Sequence, residues 1–395
     1  LGVASTMTIS GEIDLESVED VTITVGAAST LTADDLVMGG DVVINATMGS
    51  NIGVDTFGVA GMTGTFDING RGNLGAQALV GGVAVTKTLA ISGITTLNIA
   101  GYTDTTGGKI TVNANNDGAK TFVGNSQATS ITTGDGADSI TGGSGIDTVV
   151  NSGAGIDTLT LGAGDDVVTD AGAGADVINM GAGDDTVTDA GAGADSITGG
   201  EGADAITGGA GADSIILTET TAATDTVNIA VTTDSLEGTV AAPGYDSITG
   251  FAAVATSGDV LAIVGALVPA GARTVADATA LTTETDTGTV AAALSVTGIV
   301  TVSGTSAANV DTLAEWIDIA EALLLADVTA QDATATATVA FEFDGNTYVV
   351  QGSDTDAGVG DTTIVYQTDA VVELIGLTGV TGLNATAAAN VIEIA

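Results

Sequence analysis

Residues 134–149 read Gly134-Asp135-Gly136-Ala137-Asp138-Ser139-Ile140-Thr141-Gly142-Gly143-Ser144-Gly145-Ile146-Asp147-Thr148-Val149, and the pattern in this stretch recurs to residue 215. An aspartate returns at Asp138, Asp147, Asp157, Asp166, Asp176, Asp185, Asp195, Asp204 and Asp213. Two residues before each stands a glycine: Gly136, Gly145, Gly155, Gly164, Gly174, Gly183, Gly193, Gly202 and Gly211. Four before there is another, from Gly134 to Gly209, and two after there is always Ile, Val or Leu. Such self-similarity at a short fixed period marks a solenoid, in which one repeat cannot bury its apolar face without its neighbours.

Each residue type has a physical reason. Glycines allow a positive φ and let carbonyl oxygens crowd into a turn where a Cβ would clash. The aspartate adds a carboxylate at a fixed offset, and a ring of carbonyl and carboxylate oxygens suits a hard cation, calcium better than magnesium. The single aliphatic residue sits in a short strand and points inward, so stacked strands build a thin apolar ladder. All 18 of these Asp and Gly residues are therefore candidate calcium-site residues.

Composition agrees. The chain of 395 residues has 58 Gly and 2 Pro, with 50 acidic residues against 5 basic ones and no His, for a net charge of -45. That balance excludes nucleic acid and anionic membrane surfaces as partners, because both need clustered Lys and Arg. With 44% hydrophobic residues the chain is not expected to be disordered, so the acidity points to bound cations. The absence of Cys and His excludes disulfides, thiolate zinc sites and a Ser-His-Asp triad, and 3% aromatic residues offer few platforms for a glycosidase cleft. The chain is expected not to be an enzyme. No apolar run reaches the roughly 18 residues of a membrane span, and the first residues lack a basic and apolar leader, as expected for a mature piece or a fragment.

The repeat matches the nonapeptide G-G-x-G-x-D-x-U-x and resembles the RTX (repeats-in-toxin) family. The resemblance implies a right-handed parallel β-roll with two nonapeptides per coil and calcium between successive turns on each side. Asp138, Asp157, Asp176, Asp195 and Asp213 would share one edge, and Asp147, Asp166, Asp185 and Asp204 the other, giving about seven calcium sites. The aspartate intervals run 9, 10, 9, 10, 9, 10, 9, 9, so the middle coils hold 19 residues. The extra residue aligns Asn151, Asp170 and Asp189 in one column, and Asp165 and Asp184 form another. Both columns read as solvated surface, with an auxiliary ligand row as the alternative.

The expected fold is all-β: a right-handed parallel β-helix/β-roll solenoid with a C-terminal β-rich capping domain containing one helix. Three segments are expected: 1–123 as an irregular β-helix, 124–216 as the calcium roll, and 217–395 as a capping and secretion-signal domain. Upstream, alternating apolar pairs such as Met7 and Ile9, Phe66 and Ile68, Leu89 and Ile91, and Ile110 and Val112 predict short strands. Thr129-Ser130-Ile131 predicts a degenerate coil with Thr in the aspartate position. Asn113, Asn115, Asp117 and Gly118 open like an EF-hand loop, but Gly124 stands where its last ligand should be, so an Asn-rich turn is expected. Downstream, Tyr245 to Phe251 and Gly258 to Leu261 resemble the strand pair that often closes RTX rolls. Between Asp311 and Asp327 an apolar face of Leu313, Ile317, Ala320 and Leu324 predicts a helix capped by Asp311, with Trp316 as a packing residue. Val339 to Phe343 and Thr347 to Val350 predict a hairpin across Asp344-Gly345-Asn346.

The last basic residue is Arg273. A tail free of Lys and Arg after RTX repeats looks like an uncleaved signal for type I secretion. The order of β-helix, roll and cap, together with Phe343 to Gly352 and Asp369 to Gly379, resembles Gram-negative surface-layer (S-layer) proteins. These resemblances imply an extracellular, cell-surface subunit that assembles with copies of itself. The alternative is the C-terminal module of a large RTX adhesin or of an exported enzyme.

Overall fold

The computed structural model describes the strands between residues 6 and 110 by their backbone and residues 110–229 almost continuously. Beyond these it describes 245–253, 258–263, 273–275, 291–295, 298–303, most positions of 312–323, 336–353, 370–385 and 392–394. The chain is nearly all β and forms two compact units, residues 1–191 and 192–395.

In the first unit the repeats alternate between two parallel sheets. Strands Thr121–Val123, Ser139–Gly143, Thr158–Ala163 and Val177–Ala182 lie side by side in one. Strands Ile110–Ala114, Thr129–Thr133, Thr148–Asn151, Val167–Val168 and Thr186–Val187 form the other. The pairing is in register, so Phe122, Ile140, Leu159 and Ile178 stack in one buried column and Val112, Ile131, Val149, Val168 and Val187 in the second. This is the expected parallel solenoid. The period of two within each strand sends these side chains inward and their Thr and Ser neighbours outward.

The extra residue of the 19-residue coils appears as a bulge. Ile131 pairs with Val149, but Thr132 pairs with Asn151, leaving Val150 as the inserted residue, 40% exposed. Upstream the coils are irregular, as expected. The 18-residue strand Asp41–Gly58 takes Asp20–Val25 along its first part, Thr30–Val37 along its second, and Thr65–Leu74 across a register shift. Ile91 lies outside the described residues.

In the second unit, parallel strands Ser196–Glu201, Ser214–Ile216 and Asp246–Thr249 continue into an antiparallel group, Ala370–Ile375, Asn346–Ser353 and Thr336–Phe343. The other sheet ends similarly, with Ile392–Ile394 running antiparallel to Val260–Ile263. Switching from parallel to antiparallel pairing closes a stack whose free edges would otherwise offer unpaired amides. Both expected closing segments are strands, but Asp246–Thr249 and Val260–Ile263 lie in different sheets, and the antiparallel strands beyond them end each sheet.

The helix is present over its described positions between 313 and 323. Its cap is Thr312: the Thr312 hydroxyl accepts from the Glu315 amide at 3.3 Å while Glu315 accepts from the Thr312 amide at 3.2 Å. This reciprocal capping box displaces Asp311 from the expected role, and Asp311, Leu324 and Asp327 lie outside the described residues. Ile317, Ala320, Ile319 and Leu323 are buried against Leu294, Val300, Val339, Phe341 and Val350. Trp316 stacks on Phe341 at 5.3 Å, and Phe341 on Tyr348 at 5.4 Å, so Trp316 is a packing residue as expected. The hairpin turn is two residues, Asp344 (φ 47°) and Gly345 (φ 82°), because Asn346 already pairs with Phe343.

Candidate metal centre: two columns of aspartate turns

Every repeat aspartate is buried, with 2% exposure or less, although each lies at a turn just before its strand. Backbone amides explain how. In the first unit the Asp138 carboxylate accepts the Lys120 amide (2.6 Å), Asp157 that of Asp138 (2.7 Å) and Asp176 that of Asp157 (2.7 Å), always through Oδ1. On the other sheet Asp147 accepts the Thr129 amide (2.8 Å), Asp166 that of Asp147 (2.6 Å) and Asp185 that of Asp166 (2.7 Å). Thr129 occupies the aspartate position of the degenerate coil, as its sequence predicts. The second unit repeats the arrangement, Asp213 accepting the Asp195 amide at 2.9 Å.

Only one carboxylate oxygen is needed for this ladder. Oδ2 is sealed from solvent in all nine repeat aspartates, and that of Asp166 accepts no hydrogen bond. A buried carboxylate oxygen without a proton donor is costly, and a bound cation is the usual compensation. Burial pushes the Asp166 carboxyl up to about 6, against the opposing hydrogen bond from the Asp147 amide and with the like charges of Asp147 and Asp165 adding to the rise. Burial likewise raises Asp185 to about 6, and it raises Asp138 and Asp176.

The glycines act in two ways. Gly155 has φ 155° and a Cβ there would stand 2.3 Å from the Gly136 carbonyl oxygen. Gly174 lies outside the left-handed region, yet its Cβ would come within 1.7 Å of the Gly155 oxygen. Close stacking of turn carbonyls thus demands glycine at Gly174 even where dihedral freedom does not. Among the described residues no three carboxylates converge on one point. A cation held here would therefore draw ligands from these carbonyls as well as from the aspartates, a mixed oxygen set that fits calcium.

The exposed acidic residues behave differently. Asp165 accepts the Asp184 amide at 3.1 Å, and both are exposed. Asp189 folds back on the Gly191 amide at 2.8 Å, and Asp170 lies outside the described residues.

Three aspartates in the ladder lie outside the full repeat signature, Asp225 and Asp259 lacking both glycines and Asp246 keeping only Gly244. Asp225 accepts the Asp204 amide (2.9 Å), Asp259 that of Asp225 (3.0 Å) and Asp246 that of Asp213 (2.9 Å). All are buried. The signal that could have found them is D-x-aliphatic alone, with Val227, Ile248 and Leu261 two residues on.

Residues 116–149, 151–187 and 189–216 match the family model of the RTX calcium-binding nonapeptide repeat. This segment is an RTX repeat array. No curated protein and no solved structure matches the chain. RTX repeats bind calcium, and all nine repeat aspartates lie within the matched segments. The match begins at Asn116; Asn113 ends up within the strand Ile110–Ala114, and Asn115 and Asp117 of the expected Asn-rich turn lie outside the described residues.

Proposed function

We propose that the chain is a structural, non-enzymatic subunit of a Gram-negative surface layer, exported by type I secretion and assembled outside the cell into a calcium-dependent two-dimensional lattice. The observation that carries this reading is the pair of buried aspartate columns, which need a cation-rich, extracellular setting to fold. RTX repeat proteins are generally secreted, and among the described residues no helix is long and apolar enough to cross a membrane.

Two further features support assembly with copies of itself. The chain is rich in small side chains and poor in aromatics, a composition that suits a repetitive contact better than a ligand cleft. On the roll, Ile146, Val150 and Ile156 are 54%, 40% and 62% exposed, apolar side chains that self-association would cover. The test is electron microscopy of purified chain and of the native surface, with calcium and with chelator. A periodic array that dissolves on chelation supports the lattice. Monodisperse chain and a bare surface, or isolated fibres, would instead point to a module of an adhesin or exported enzyme.

A further inference from the structure

The first turn of the roll differs from the next at the aspartate position. Asp117-Gly118-Ala119-Lys120-Thr121-Phe122 aligns with Asp135-Gly136-Ala137-Asp138-Ser139-Ile140 eighteen residues on, and a lysine stands where the column requires an aspartate. Backbone geometry confirms the equivalence. The Lys120 amide donates to Asp138 Oδ1 as the Asp138 amide does to Asp157, and Thr121 pairs with Ser139 as Ser139 does with Thr158.

The Lys120 side chain turns inward. It is only 7% exposed, and Nζ donates at 2.6 Å to the carbonyl oxygen of Gly118, the glycine two residues before it. Gly118 is the counterpart of Gly136 in the next turn and shares its positive φ, 99° against 131°. The ammonium thus sits on a turn carbonyl of the kind that the calcium reading makes a metal ligand. Its charge also acts on Asp138, whose carboxyl burial raises and the lysine partly relieves. A buried lysine is expensive unless it meets such partners.

We propose that the Lys120 ammonium is a built-in cation that fills the first position of the Asp138 column. The N-terminal turn then closes without calcium, and metal loading begins at the following gap. The inference rests on the calcium reading of the columns. It assigns the chain a covalently supplied end to its ion ladder, which gives the roll one preformed turn on which calcium-dependent coils can stack.

The test counts bound calcium on the full chain by equilibrium dialysis, with circular dichroism on the same samples. Lys120→Asp restores the repeat and is expected to bind one calcium more than wild type. Lys120→Met is expected to bind the wild-type number but to melt at a lower temperature in saturating calcium. Wild-type chain that binds calcium while Lys120→Asp folds and binds the same number overturns this inference and leaves the calcium reading standing. So does Lys120→Asp that stays unfolded in saturating calcium, or Lys120→Met as stable as wild type. Wild-type chain that binds no calcium overturns both.

Discussion

The backbone amide of Asp147 donates to Oδ1 of Asp166 across 2.6 Å, nineteen residues along the chain, and Asp166 hands its own amide to Asp185 at 2.7 Å. Each aspartate is thus both a backbone rung and a carboxylate acceptor, and the two roles separate by mutation. Asp166→Ala removes the acceptor and leaves a buried amide unmet, a cost of about 1–3 kcal/mol. Asp166→Asn keeps an acceptor oxygen and removes the charge. It is expected to make the metal-free roll more stable than wild type and the calcium-loaded roll less stable. Chemical denaturation with and without calcium checks both signs. Asp165→Asn, at an exposed neighbour, is expected to change stability by no more than about 0.5 kcal/mol in either condition.

Acid should substitute in part for calcium. Asp166 and Asp185 rise to about 6 and Asp225 to about 7, chiefly by burial. A carboxyl whose folded pKa exceeds its unfolded value of about 3.9 holds its proton more tightly when folded. Its contribution is fully present below about pH 4 and is lost as pH rises through about 6 to 7. In chelator, strand content by circular dichroism should therefore increase on titration from about pH 8 to about pH 4. In calcium the same titration should weaken metal affinity, because protons and the cation compete for one set of oxygens. Metal-free strand content that is flat across this range would contradict the buried carboxylates.

The roll was legible because its chemistry is strictly periodic: Asp138 to Asp213 with their glycines and aliphatic partners define turn, ligand and core in nine residues. The bulge at Val150 followed from the tenth residue in alternate intervals. Asp225, Asp246 and Asp259 are not legible as ladder positions because none has both repeat glycines, whereas the ladder needs only a carboxylate whose Oδ1 reaches the amide of the coil before it. Asp311 was mistaken for the helix cap because both Asp and Thr suit that place. The reciprocal bond with Glu315 favours Thr312, three residues before it.

Glycine at the second position is expected to be irreplaceable where carbonyls stack. A Cβ at Gly174 would lie 1.7 Å from the Gly155 oxygen, and backbone on both sides cannot yield as a side-chain tip could. Gly174→Ala should force adjacent coils apart, costing at least the roughly 1–3 kcal/mol of an overpacked core and raising the calcium concentration needed to fold. Gly376 offers a comparison, because its Cβ would meet nothing within 4 Å and only its φ of 76° opposes substitution. Calcium-dependent folding midpoints of Gly174→Ala and Gly376→Ala should differ, with only the first shifted.

Asp225 tests whether a place in the ladder is enough to bind metal. It accepts the Asp204 amide and donates to Asp259 as a repeat aspartate does, but Thr221 and Ala223 stand where the repeats have glycine. Without those glycines the turn cannot bring its carbonyls as close as at Gly155 and Gly174. Burial and the charges of Asp259, Asp204 and Glu219 already push Asp225 up to about 7, so near neutrality much of it is protonated and serves as a plain hydrogen-bond acceptor. Asp225→Asn should then leave the number of bound calcium ions unchanged and hold or raise stability at pH 8. The same substitution at Asp204, within the matched repeats, should lose calcium. A lost ion in Asp225→Asn would mean that the carboxylate, and not the glycine turn, defines the metal site.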